Sequence, residues 1–166
     1  KDGRNIGIRH ITVSTCGLPE EIIELGQMPL QPRLAVSLHA PDDATRRRLM
    51  RVGSKYPLDA VMAALKTYQA LTGRRVTIEY CMIDSVNDGD DHARRLVRLL
   101  RPLQVNVNLI ELNPYPGCAF GPSAPARIRG FADILAQAGI ETVIRFKRGR
   151  RIKAACGQLG ATRLNS

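Results

Sequence analysis

Five segments of this 166-residue chain read as strands, and stretches of helical spacing lie between them. The candidate strands are 9–15, 33–39, 75–83, 104–111 and 141–147. Leu58, Val61, Met62, Leu65 and Tyr68 form one apolar helical stripe. Ala93, Leu96, Val97 and Leu100 form a second, and Ile128, Phe131, Leu135 and Ala138 a third. Asp42, Asp43 and Asp88 stand where N-caps belong, Pro125 fits a first turn, and Gly73 and Gly139 fit helix ends. Strands joined by whole helices must run parallel, because a tight turn cannot return the chain in the same direction. The fold class is therefore α/β.

The strand faces narrow this further, since side chains alternate across a strand. Ile11 and Val13 oppose Thr12 and Ser14; Leu34, Val36 and Leu38 oppose Ala35, Ser37 and His39. Val76, Ile78, Tyr80 and Met82 oppose Thr77, Glu79 and Cys81; Val105, Val107 and Leu109 oppose Asn106 and Asn108. A doubly wound sheet buries both faces and reads as continuous apolar runs. One polar face on each of four strands instead predicts helices on one side and an occupied polar lumen on the other, as in an incomplete β/α barrel. A sheet with helices on one side and only solvent on the other is the alternative.

Hydrophobic residues at 44% and charged residues at 24% exclude a disordered chain. No apolar run approaches the roughly 20 residues of a membrane span. Lys1 opens the chain with neither a secretory signal nor a starting Met, the first Met being Met28. A piece of a longer, cytoplasmic protein is expected. The net charge is +10, which favours an anionic partner, nucleic acid foremost. Cys16, Cys81, Cys118 and Cys156 include no Cys-x-x-Cys pair, so neither a structural zinc site nor a disulfide framework is expected.

In βα units, ligands gather at the carboxyl ends of the strands. Those ends read Ser14-Thr15-Cys16-Gly17, Ser37-Leu38-His39-Ala40-Pro41, Asp84-Ser85-Val86-Asn87-Asp88-Gly89 and Leu112-Asn113-Pro114-Tyr115-Pro116-Gly117. Hydroxyl, amide and imidazole groups of this kind suit a sugar, an amino acid or a purine. No phosphate loop and no Gly-x-Gly-x-x-Gly is present. Near the end, Arg145, Lys147, Arg148, Arg150, Arg151 and Lys153 precede Ala154-Ala155-Cys156-Gly157-Gln158. Neighbouring cations favour a thiolate, so Cys156 reads either as an active thiol beside a phosphate-binding stretch or as an inert small residue beside a solvated basic one.

Taken in order, these segments resemble the carboxyl-terminal half of the radical S-adenosylmethionine adenine-C2 methyltransferases of 23S ribosomal RNA and tRNA. The resemblance rests on Ile11-Thr12-Val13-Ser14-Thr15-Cys16-Gly17, Ser37-Leu38-His39-Ala40-Pro41, Ile78-Glu79-Tyr80 with Val86-Asn87-Asp88, Asn108-Leu109-Ile110 through Asn113-Pro114, Arg148-Gly149, and Ala155-Cys156-Gly157-Gln158-Leu159. It runs from about Ile11 to Gly160. Two positions depart from the family pattern: Cys16, where a small residue such as Ser is usual, and Glu111, where Pro is.

The resemblance implies a partial radical SAM barrel lacking its first strands. Residues 1–166 would be the carboxyl-terminal part of the catalytic domain. It places S-adenosylmethionine against Ser14, Ser37, Leu38, His39 and Asn113. Cys156 would accept a methyl group and relay it to carbon 2 of adenine. A thiolate can take that methyl; the electron-poor carbon 2 cannot. The resemblance further implies a 4Fe-4S cluster, 23S rRNA and tRNA as substrates, an electron donor such as a flavodoxin or ferredoxin, no membrane, and a monomer. The cluster motif Cys-x-x-x-Cys-x-x-Cys is absent from this chain, so its ligands are expected upstream and this chain alone is expected to be inactive. Methylation at adenine carbon 8 and a non-catalytic RNA-binding relic are the competing readings.

Overall fold

A computed structural model describes residues 7–115 and 117–145. In chain order the elements are β1 (Thr12–Thr15), α1 (Pro19–Gln27), β2 (Arg33–Ser37), α2 (Asp43–Leu49), α3 (Leu58–Thr72), β3 (Val76–Met82), α4 (Asp90–Leu100), β4 (Val105–Glu111), α5 (Pro125–Gln137) and β5 (Glu141–Arg145). Short 3-10 turns occupy Ile8–His10 and Arg51–Ser54. The five strands pair in sequence order, and every pairing is parallel. A doubly wound sheet reverses its strand order partway across; this one does not. Unbroken order, with a helix in every crossover, is the winding of a barrel segment.

The apolar strand faces carry the core. Leu34, Val36, Val76, Ile78, Tyr80, Met82, Val107 and Leu109 are buried, and Leu38, just past β2, joins them. Ile22 of α1, Val61, Leu65 and Tyr68 of α3, Leu96 and Leu100 of α4, and Phe131 and Leu135 of α5 complete the same cluster. Each large aliphatic side chain so buried contributes about 1.5–3 kcal/mol. Tyr80 and Phe131 stack at 5.2 Å between ring centroids, joining β3 to α5. Burial along β3 alternates strictly, with Thr77, Glu79 and Cys81 on the less buried side, as the sequence pattern predicts.

Several sequence expectations shift. Strand β1 begins only at Thr12, because the backbone before it forms the 3-10 turn ending at His10. Asp42 caps α2 by accepting from Thr45 N–H at 2.8 Å, but Asp88 caps nothing. Its carboxylate accepts from Ser85 N–H at 3.1 Å, and Gly89 is the N-cap of α4. Ala138 ends α5 exposed to solvent instead of packing. Helices α1 and α2 lie outside the three stripes read from the sequence. Helix α1 packs closely on α3, since a Cβ on Gly26 would stand 3.3 Å from both Leu71 and Tyr68 side chains. Among the described residues no helix is long and apolar enough to cross a membrane.

Candidate functional site

The strand register lays the polar face out in rows. Ser14, Ala35, Thr77, Asn106 and Glu141 form one row. Ser37, Glu79, Asn108 and Val143 form the next toward the carboxyl ends, and Cys81, Ile110 and Arg145 the one beyond. The core helices pack against the opposite face. Within the rows, Ser37 Oγ donates to Glu79 Oε2 at 3.5 Å and Thr77 Oγ1 donates to Asn106 Oδ1 at 3.1 Å. Asn108 is buried among its neighbours, while Ser14 is exposed.

At the end of β1 the chain turns sharply through Cys16-Gly17. Gly17 has φ +86°, and a Cβ there would lie 3.0 Å from Arg46 Nη2 and 3.3 Å from Val61 Cγ1. Only glycine meets both demands. Arg46 of α2 is wholly buried. It donates from Nη2 to the Cys16 carbonyl at 2.8 Å and from Nη1 to the Tyr56 carbonyl at 2.7 Å. Burial lowers its pKa, and the nearby Asp43 carboxylate opposes that shift. Arg46 thus fixes the turn that follows Ser14, although its own side chain lies under the site.

At the end of β2 the Leu38 side chain enters the core, and Leu38 N–H donates to the Glu79 carbonyl at 3.0 Å. Leu38 can therefore meet a ligand only through its backbone. His39 follows at φ +59°, a left-handed conformation that costs a non-glycine residue of order 1–3 kcal/mol. Its Nδ1 accepts from Cys81 N–H at 3.1 Å, so the neutral ring carries its proton on Nε2. Burial, then the positive charge of Arg46, lowers the His39 pKa to about 4, with the Glu79 carbonyl working the other way. The imidazole is neutral at pH 7.

Asn87, fully buried in the β3–α4 loop, locks this corner. Its Nδ2 donates to the His39 carbonyl at 2.8 Å and to the Cys81 carbonyl at 2.7 Å; its Oδ1 accepts from Ile83 N–H at 2.8 Å. The buried Tyr80 hydroxyl donates to the Asn87 carbonyl at 2.8 Å, and burial pushes the Tyr80 pKa up. Burial, then the proximity of Cys118, pushes the Cys81 thiol up to about 11, so it stays protonated and weakly nucleophilic.

The loop after β4 carries Asn113, half-buried, and then returns across the end of β3. Ile83 and Pro122 form an antiparallel bridge, and Asp84 N–H donates to the Gly121 carbonyl at 3.0 Å. The Arg48 guanidinium lies 5.6 Å from the Phe120 ring centroid, tying the loop to α2.

The structure thus places Ser14 near the carboxyl end of β1, Ser37, Leu38 and His39 at that of β2, and Asn113 just past that of β4. Cys156 lies outside the described residues, as do Lys147, Arg148, Arg150, Arg151 and Lys153. Arg46 has no local sequence signal that would mark it as buried. Glu79 is legible from alternation on β3 as a carboxylate on the polar face. A polar, hydrogen-bonding ligand such as S-adenosylmethionine fits this face, which offers hydroxyls, amides, a carboxylate and a neutral imidazole. An iron–sulfur cluster does not fit: no group of three or more His, Cys, Asp or Glu among the described residues could hold a metal ion.

No family model matches the chain. It is 46% identical over 159 residues to the dual-specificity RNA methyltransferase RlmN of Sorangium cellulosum, covering 95% of this chain and 41% of that protein. It is 48% identical over 159 residues to a probable RlmN of Gemmatimonas aurantiaca, covering 96% and 43%. A probable RlmN of Caldicellulosiruptor saccharolyticus is 42% identical over 165 residues, at 99% and 48%. The crystal structure of a radical SAM methyltransferase from Sphaerobacter thermophilus superposes with a TM-score of 0.90 at 50% identity, covering 94% of this chain and 46% of that one. A domain of a pyruvate-formate lyase-activating enzyme from Bacteroides vulgatus, 16% identical, shares the fold at a TM-score of 0.63 over 81% of this chain and 80% of that domain. The chain spans somewhat under half the length of the curated relatives it matches.

Proposed function

We propose that this chain, which belongs to the family of the dual-specificity RNA methyltransferases, forms the carboxyl-terminal part of a radical SAM catalytic domain. The complete protein would methylate carbon 2 of adenine in 23S rRNA and tRNA. The observation that carries this reading is the polar row Ser37–Glu79–Asn108, set between Ser14 and the His39 corner at the carboxyl ends of the strands. Carboxyl ends of strands are where βα units in general receive their ligands.

Ser14, Ser37, the backbone of Leu38, His39 and Asn113 would hold S-adenosylmethionine. When bound, that group supplies the methyl carbon and the radical chemistry. The chain's own part is orientation. Arg46 fixes the end of β1, and Asn87 fixes the ends of β2 and β3. Neutral His39 would offer Nε2–H as a donor while adding no cation to the face that would hold a cationic ligand. Cys156 would accept the methyl group on sulfur, a stronger nucleophile than any carbon of adenine. Among the described residues no group could hold an iron–sulfur cluster, so the ligands for one would lie outside them. RNA would be the substrate and an electron-donor protein a partner. The cytoplasm would be the compartment and a monomer the working state.

Nucleoside mass spectrometry of RNA treated with the complete, cluster-loaded protein tests this reading. 2-Methyladenosine is expected, and Cys156→Ala should remove it. 8-Methyladenosine would reassign the chain to the carbon-8 reaction. RNA binding without methylated product would make it a non-catalytic relic, and wild-type yield from Cys156→Ala would overturn the role of that thiol.

A further inference from the structure

We propose that the outer stripe of α4, with the cleft at its carboxyl end, is a second contact for the phosphate backbone of RNA, at the end of the sheet away from the candidate site. The inference rests on the RNA reading above and adds a place where the RNA is held.

Arg94, Arg98 and Arg101 recur at i, i+4 and i+7, so they share one helix face. All three are exposed, and Ala93, Leu96 and Leu100 are buried on the other side. At 1.5 Å per residue the stripe runs about 10 Å, enough for two or three successive phosphates at the few-ångström rise of a nucleic-acid strand. The carboxylates of the α4 first turn are engaged elsewhere. Asp91 pairs with Arg95, which also approaches Asp42 at 3.8 Å, and Asp90 pairs with Arg127 at 3.2 Å. Among the described residues no ion pair neutralises Arg94, Arg98 or Arg101.

The stripe leads into a cleft of about 630 Å³ at the amino ends of β3, β4 and β5. Arg75, Arg98 and Arg101 line it, with Val105, Gly139 and Ile140 among the remaining walls. Arg75 is bonded to Glu141, so Arg98 and Arg101 supply the cationic charge that no described carboxylate pairs. The carboxyl ends of α4 and α5 also meet here, and their dipoles make the floor electronegative. An anion is therefore drawn to the arginine rim and not to the floor. A membrane-surface helix would need an apolar face free to insert, and that face of α4 is committed to the core. A protein partner would be anchored by aromatic side chains, and none lines this cleft. A polyanion read by its backbone alone fits better.

The test is binding of the full 166-residue chain to a fluorescein-labelled RNA stem-loop by anisotropy, between about 50 and 200 mM salt. The variant is Arg94→Gln/Arg98→Gln/Arg101→Gln, since glutamine keeps helix propensity close to that of arginine. An equal charge loss on exposed Arg51, Lys55 and Lys66, each to Gln, is the control. The slope of log K against log salt should become shallower by about 2, at roughly 0.7–0.9 per phosphate contact, for the α4 variant and not for the control. Circular dichroism should be unchanged. An unchanged slope, or the same loss in the control, overturns the α4 contact and leaves the RNA reading standing. Failure of the parent chain to bind RNA at low salt overturns both. Loss of binding to phosphatidylserine vesicles, with RNA binding intact, would assign the stripe to a membrane surface instead.

Discussion

His39 carries a left-handed backbone, a buried ring and a ring nitrogen committed to Cys81 N–H. Its pKa is lowered to about 4, so the folded chain resists protonation that the unfolded chain accepts near 6.5. The sign follows: the stabilisation is complete above about pH 6.5 and is lost as pH falls toward about 4, by as much as about 3 kcal/mol. His39→Asn tolerates the positive φ and can still accept from Cys81 N–H, but it does not titrate. Thermal melts of the two proteins between pH 4 and 7 should converge at the acid end, the parent losing more stability on acidification. Parallel pH profiles would mean that His39 is not the group that titrates. That ring was legible from the sequence as a polar group at a strand end. Its strain and its charge state were not, because the backbone conformation, the burial, the charge of Arg46 and the bond from Cys81 N–H are all supplied by the fold.

At the scale of elements, Asn87 is the rivet between β2, β3 and the loop entering α4. Asn87→Ala leaves the His39 and Cys81 carbonyls and the Ile83 N–H without their partner. Each orphaned buried group costs about 1–3 kcal/mol, and partial rehydration offsets part of that. A net loss of roughly 2–4 kcal/mol is expected from urea denaturation, with native-state hydrogen exchange accelerating first at Cys81 and Ile83. A change within experimental scatter would place those carbonyls against water.

Much of this level could be read ahead. Strand alternation gave the polar rows, and β3 alternates in burial as it does in sequence. The stripes of α3, α4 and α5 pack as their spacing implies, except at Ala138. Helices α1 and α2 were harder. Helix α1 has only nine residues, and its close contact uses Gly26, which registers as no apolar position. Helix α2 buries an arginine where a pattern reader looks for a leucine. Asp88 misled because a carboxylate before a helix can bond its own loop as readily as the helix N-terminus.

For the molecule as a whole, the one-sided sheet has consequences for solubility. Strand β1 is an edge of the sheet among the described residues, and Ile11 just before it and Val13 within it are 42% and 38% exposed. Val13, Ile22, Leu25, Met28 and Leu34 line an apolar groove of about 290 Å³ between that edge and α1. A strand paired on one side only, beside an apolar groove, is a template for association with another chain. The net charge of +10 opposes self-association, and salt screens that repulsion over a Debye length of about 8–10 Å. The 166-residue chain should therefore stay dispersed at low salt and associate as salt rises. This is the reverse of its expected RNA binding, which weakens with salt. Val13→Lys places a charge at the mouth of the groove, on a strand position whose side chain already meets solvent. It should lower both the salt-induced sedimentation shift and the fluorescence of a bound apolar dye, while leaving the RNA salt slope within one contact of the parent. Equal association of parent and variant at high salt would move the sticky surface to β5, where Val143 is 46% exposed on the opposite edge.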